Sequence, residues 1–130
     1  MHNCGATIGK KRFVSLLEKQ QVFSKLLARF ITDLHLRGYE VTFGEVYRPP
    51  EMAEIYASQG RGIKNSLHTI KLAADLNIFY QGKFLTTKKE LEIPGKLWKS
   101  YTTSIAQTCW GGDFKEPDAN HYSVFHNGIK

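Results

Sequence analysis

Ser66-Leu67-His68-Thr69-Ile70-Lys71-Leu72-Ala73-Ala74-Asp75 runs into Leu76-Asn77-Ile78-Phe79-Tyr80, and the register of this stretch limits how the rest of the chain can be arranged. From about Ala73, Asp75, Asn77 and Phe79 alternate with Leu76 and Ile78, the period of two that marks a strand with one apolar face. Gln81-Gly82 then closes a hairpin into Lys83-Phe84-Leu85. His68 lies seven residues before Asp75, an odd separation that would send the two side chains to opposite faces of one uninterrupted strand. The chain therefore has to bend between them. His68 is expected on the turn entering the strand and Asp75 on the strand itself, converging from two backbone directions.

Upstream, Phe13, Leu16, Leu17, Phe23, Leu26, Leu27, Phe30 and Leu34 recur at spacings of three and four, which predicts an amphipathic helix from about Lys11 to Arg37, ending at Gly38. Tyr39 to Tyr47 reads as a strand with Gly44 as a possible bulge, stopped by Pro49 and Pro50. Pro50 suits the first position of a short helix through Ser58, and Gln59-Gly60-Arg61-Gly62 breaks it. Downstream, Thr87 and Glu90 have capping-box spacing for a short helix, Pro94 punctuates, and Lys96 to Gln107 reads as another helix. Trp110-Gly111-Gly112-Asp113-Phe114 makes a turn, and His121 to Phe125 is a last strand before Asn127-Gly128. The pattern is α+β, a small antiparallel sheet with flanking helices, and one domain over residues 1–130 with a flexible 1–10 segment.

At 130 residues with 42% hydrophobic content, the chain can bury an ordinary core. A formal charge of +6 draws it toward polyanions in general. The basic residues are scattered and carry no aromatic-glycine signature, so specific nucleic-acid binding is not expected. Cys4 and Cys109 form no Cys-x-x-Cys pair and fit a reduced, intracellularly made protein, with a Cys4–Cys109 bridge left open. No apolar run is long enough for a signal or a membrane span. A monomer made in a cytoplasm, with any export assisted, is the expectation.

Only two of the five histidines sit near carboxylates in strand or loop contexts: His68 with Asp75, and His121 three residues after Asp118. Two imidazoles and one carboxylate form a sound tripod for a catalytic zinc, because three protein ligands leave a fourth position for water. A carboxylate held off the metal can take that water's proton. Pro117 and Asn120 favour a loop that suits Asp118 to this role rather than to ligation.

Ser66-x-His68-x-x-Lys71-x-Ala73-x-Asp75, with Trp110-Gly111-Gly112 and Asp118-x-x-His121 following in order, resembles the D-alanyl-D-alanine carboxypeptidase and L-alanyl-D-glutamate endopeptidase family of zinc peptidases. The resemblance spans about Val41 to Val124. It implies a hedgehog/DD-peptidase-like fold and one Zn2+ held by His68, Asp75 and His121, with Asp118 as catalytic base and peptidoglycan stem peptide as substrate. Gly44-Glu45-Val46-Tyr47-Arg48 is similar to the family's strand ending in an arginine, which implies that Arg48 binds a substrate carboxylate or an oxyanion, with Ser66 close by. The compact form resembles phage and prophage endolysins that act on the wall, which favours the L-alanyl-D-glutamate bond over D-alanyl-D-alanine. Lys71 stands where the family has glycine, so a positive φ there would be strained.

Taken one at a time, these residues have plainer readings. Arg48 pairs with Glu45 or Glu51; Trp110 is a core or cleft-wall aromatic rather than a substrate contact; His126 faces solvent; His35 favours the dipole of the first helix; His2 belongs to a loose terminus. A zinc-containing binding module, like the hedgehog signalling domains of the same architecture, is the competing function class. A hydrolase built on Cys109 and a histidine ranks below both.

Overall fold

The computed structural model describes residues 14–62 and 65–130; His2, Cys4 and the 1–10 segment lie outside them. Helix α1 spans Leu16–Leu36, capped by Ser15, whose hydroxyl accepts from the Glu18 amide at 3.1 Å, and it is released by Gly38 at φ 91°. Its buried face is Phe23, Leu27, Phe30 and Leu34, each worth roughly 1.5–3 kcal/mol when taken out of water. Leu16 and Leu17 belong to the same sequence pattern but are exposed, because the first turn of the helix overhangs the core.

The strands are β1 (Tyr39–Phe43), β2 (Ala73–Tyr80), β3 (Lys83–Leu85), β4 (Thr108–Trp110) and β5 (His121–Val124), and every pairing is antiparallel. The order is β1-β2-β5-β4, with β3 also on β2. The far half of β2 pairs with β1 and β3, while its near half, Ala73 to Asp75, pairs with β5. A chain exchanges neighbours in this way only at a junction, and here the junction is Asp75.

β1 is shorter than the sequence pattern predicts. Past Phe43 the backbone still exchanges bonds with β2 through Gly44 N to Asp75 O, 2.8 Å, and Asp75 N to Glu45 O, 2.7 Å. The Val46 carbonyl then turns to the ring of His68 and the Arg48 amide to the His68 carbonyl, so the segment leaves the sheet to hold the turn that carries His68. Helix α2 (Pro50–Ser58) has Pro50 in its first turn, as expected.

Helix α3 is displaced from the predicted Lys96–Gln107 to Glu92–Lys99. Pro94 sits inside its first turn, where no intrahelical amide is required. The chain beyond Ser100 is not helical because the Thr103 hydroxyl captures the amides of Ile105 and Ala106, a local turn that competes with helix bonding. The Thr87–Glu90 capping box forms reciprocally just ahead of α3. Trp98 ties α3 to the sheet: its indole nitrogen donates to Cys109 O and Ser123 O, and its ring meets Phe23, Phe30, Tyr101 and Tyr122.

The bend required between His68 and Asp75 is a 3-10 turn, Leu67–Ile70, followed by Lys71 in the left-handed region at φ 62° and ψ 36°. The strain expected of a positive φ at Lys71 is therefore present. The Lys71 ammonium lies 5.6 Å from the Tyr47 ring centroid, a partial offset. Comparing two truncations isolates the backbone term, since both remove this contact. Lys71→Gly is expected to be more stable than Lys71→Ala by about 1 kcal/mol in denaturant unfolding, the cost of a left-handed Cβ. Equal stabilities would mean that the left-handed conformation is not what the chain adopts.

Candidate metal centre

His68, Asp75 and His121 converge although each comes from a different local structure. Ser66 caps the 3-10 turn by accepting from the His68 amide at 3.2 Å, and this sets where the imidazole emerges. Asp75 and His121 are direct partners across β2 and β5. One ligand atom from each of the three residues lies within 4.8 Å of the others.

Nδ1 of His68 is 3.3 Å from the Val46 carbonyl, which can only accept. Nδ1 therefore carries the proton and Nε2 is turned toward Asp75 Oδ1, 3.3 Å away. His121 Nδ1 approaches the same oxygen at 3.6 Å. These are ion-pair distances without hydrogen-bond alignment, and Asp75 Oδ1 is buried with no hydrogen-bond partner among the described residues. A buried carboxylate oxygen facing two imidazole nitrogens with none of its own bonds made is the donor set a divalent ion completes, and His, His and Asp are the types that zinc takes.

Burial works against a charged Asp75, but the two imidazoles outweigh it and hold the carboxyl at about 2. Burial likewise opposes a charged His68, and Asp75 reverses the balance so that its pKa rises. Ligation uses the neutral imidazole, so binding of an ion competes with protonation of His68. Asp118 moves the other way: burial raises its pKa, the His121 imidazole pulls it down, and the Asp75 charge adds to the rise. Its Oδ2 is 3.9 Å from His121 Nδ1, and its side chain is 55% exposed, so it reaches the centre from the solvent side.

The loop carrying Asp118 depends on Gly111. The Asp118 amide donates to Gly111 O at 2.9 Å, and a Cβ on Gly111 would lie 2.0 Å from the Asp118 carbonyl oxygen and 2.8 Å from the His121 Cβ. Trp110 is 2% exposed, its ring wedged against Gly95 and Gly112 and its nitrogen bonded to Ala119 O at 2.8 Å. Of the two sequence readings of Trp110, core or cleft-wall aromatic and substrate contact, its position fits the first, as interior support for the loop. Ser66 is likewise a buried cap.

Arg48 sits beside the centre with its Nε donating to Glu45 Oε1 at 2.9 Å, so of the two acidic partners considered it takes Glu45. His126 faces Lys19 and His35 faces Glu40, both away from the three ligands. Phe114, which packs on His121 at 5.3 Å between ring centroids, and the Val46 carbonyl were not legible beforehand. A backbone acceptor leaves no mark in side-chain pattern, whereas the Glu45-x-x-Arg48 spacing was available.

No family model matches the chain, and no curated protein matches it. Among solved structures it is similar to the crystal structure of the Serratia marcescens L-Ala D-Glu endopeptidase ChiX, with a TM-score of 0.56 over 90% of this chain and 92% of that chain, at 16% identity. The likeness establishes a shared α+β fold.

Gly111→Ala is expected to destabilise the protein by about 2 kcal/mol, since the obstructing atoms are backbone rather than a movable side-chain end. The check is its thermal midpoint beside that of an exposed control such as Gly60→Ala, corrected for the left-handed φ of Gly60.

Proposed function

We propose that the protein is a zinc metallopeptidase of bacterial peptidoglycan stem peptides, cutting the L-alanyl-D-glutamate bond. The observation that carries this reading is the half-exposed Asp118 carboxylate beside, but outside, a His-Asp-His tripod whose two histidines are buried. A purely structural zinc site has no use for a spare carboxylate. The fold shared with an L-Ala D-Glu endopeptidase adds to it.

Zinc in such a tripod supplies Lewis-acid polarisation of a carbonyl and lowers the pKa of its water to about 7. His68, Asp75 and His121 would hold the ion, with Nε2 of His68, Oδ1 of Asp75 and Nδ1 of His121 the atoms that face one another. Asp118 accepts a proton from the attacking water at its carboxylate and returns it to the leaving amine nitrogen. Arg48 steadies negative charge, either on a substrate carboxylate or on the developing oxyanion. The peptide approaches from the side on which Asp118 is open.

Two variants separate ligand from base. Asp118→Ala should bind one zinc per chain, as the parent does, yet hydrolyse purified peptidoglycan at least about a hundredfold more slowly. His121→Ala should lose the metal itself, along with the rise in thermal midpoint that zinc gives the parent. Mass spectrometry of the digest should show new N-terminal D-glutamate. Released D-alanine would assign a carboxypeptidase, and zinc binding with no cleavage of any wall peptide would assign a binding module. Asp118→Ala digesting as fast as the parent would remove Asp118 as the base.

A further inference from the structure

The Arg48 guanidinium is fixed on several sides at once. Its side chain is 12% exposed, and Nε and Nη2 both donate to a single oxygen, Oε1, of Glu45. The Tyr56 ring lies 5.3 Å from its central carbon. The Arg48 amide donates to the His68 carbonyl, so the base of the side chain is tied to the turn that carries a proposed ligand. Neither hydrogen of Nη1, which lies beside Gly62, nor the second hydrogen of Nη2 meets a protein acceptor among the described residues, so the end of the fork is open. Arginine has several rotatable bonds and a rigid fork of donors, so an unrestrained Arg48 would sample many positions, whereas this one presents one edge in one place.

We propose that Glu45 is a positioning residue that aims the Nη1 edge of Arg48 at the carboxylate of the substrate peptide, and so selects peptides with a free carboxylate beside the scissile bond. The inference rests on the peptidase reading above. Glu45 can do this because its backbone is itself anchored: its carbonyl accepts from the Asp75 amide at 2.7 Å, so its side chain starts from the same backbone frame as the tripod. Its Oε1 lies 4.0 Å from His68 Nδ1, close to the ligand but too far to compete with the Val46 carbonyl for that proton. Glu45 also supplies the counter-charge without which a nearly buried guanidinium would be costly. By spending one oxygen on two donors, it leaves the opposite edge of Arg48 unsatisfied and able to form charge-assisted bonds with an incoming anion.

The test compares a soluble L-alanyl-γ-D-glutamyl peptide carrying a free α-carboxylate with the same peptide as its α-amide. Glu45→Ala should keep one zinc per chain and a single cooperative unfolding transition, at a midpoint lowered by the loss of the counter-charge to Arg48. Its KM for the acid peptide should rise about tenfold, the worth of roughly one well-placed charge-assisted bond, while constants for the amide change less than about threefold. Glu45→Gln, which keeps the acceptor oxygen, should recover part of the loss, and Glu45→Ala/Arg48→Ala should be no worse than Arg48→Ala alone, since the two act as one unit. An unchanged KM for Glu45→Ala would overturn the proposal. So would equal losses on acid and amide, or a loss of zinc, because either would make Glu45 a support for the fold or for His68. If the parent cleaves neither peptide, the peptidase reading fails, and calorimetric binding of the two intact peptides decides the matter: the same tenfold, acid-only weakening in Glu45→Ala sustains the positioning role and its absence ends it.

Discussion

Everything around the candidate centre depends on the backbone at Asp75 being paired on both flanks. On one side its amide and carbonyl are taken by Glu45 and Gly44; on the other, β5 brings His121 into register with it. Main-chain bonds of this kind fix position far better than side-chain packing does, since each donor and acceptor has one satisfactory place. A carboxylate mounted there meets two imidazoles without any side chain having to search for them. The shortened β1 follows from the same arrangement, because the strand is given up where its carbonyls are needed for His68.

Two aspartates a short distance apart are driven in opposite directions by their surroundings. Asp75 faces two imidazoles and remains a carboxylate to about 2, while Asp118, its pKa raised first by burial and further by the neighbouring negative charge, has the higher proton affinity. Opposed environments for like groups are how one site obtains both a permanent anion and an exchangeable one. The division needs no difference in residue type, only in exposure and neighbours.

Much of this was legible in the residues themselves. The odd spacing of His68 and Asp75 demanded a bend, and the bend is the 3-10 turn closed by left-handed Lys71. The apolar period located α1, and Pro50 and Gln81-Gly82 marked α2 and the β2–β3 hairpin where they occur. Less legible were the places where a local bond overrules a pattern. A threonine hydroxyl ends α3 early, and a proline read as punctuation falls in that helix's first turn. Trp110, an aromatic beside two glycines, fits either a core position or a surface for substrate in sequence alone. Its ring is enclosed by neighbouring Gly112 together with Gly95, and the second of these no local window includes.

Each half of the tripod is built locally but is incomplete alone. His68 and Asp75 come from one turn and the strand it enters; His121 opens β5, directly after the loop that carries Asp118. The halves meet only through the β2–β5 ladder, a non-local contact that forms after its loop-closure entropy has been met. The centre therefore acts as a coincidence detector for folding: fragments or partly folded chains display two-point sites with little hold on a metal, and the three-point site comes into being with the completed sheet. An ion that needs all three groups distinguishes the finished protein from every earlier form of it.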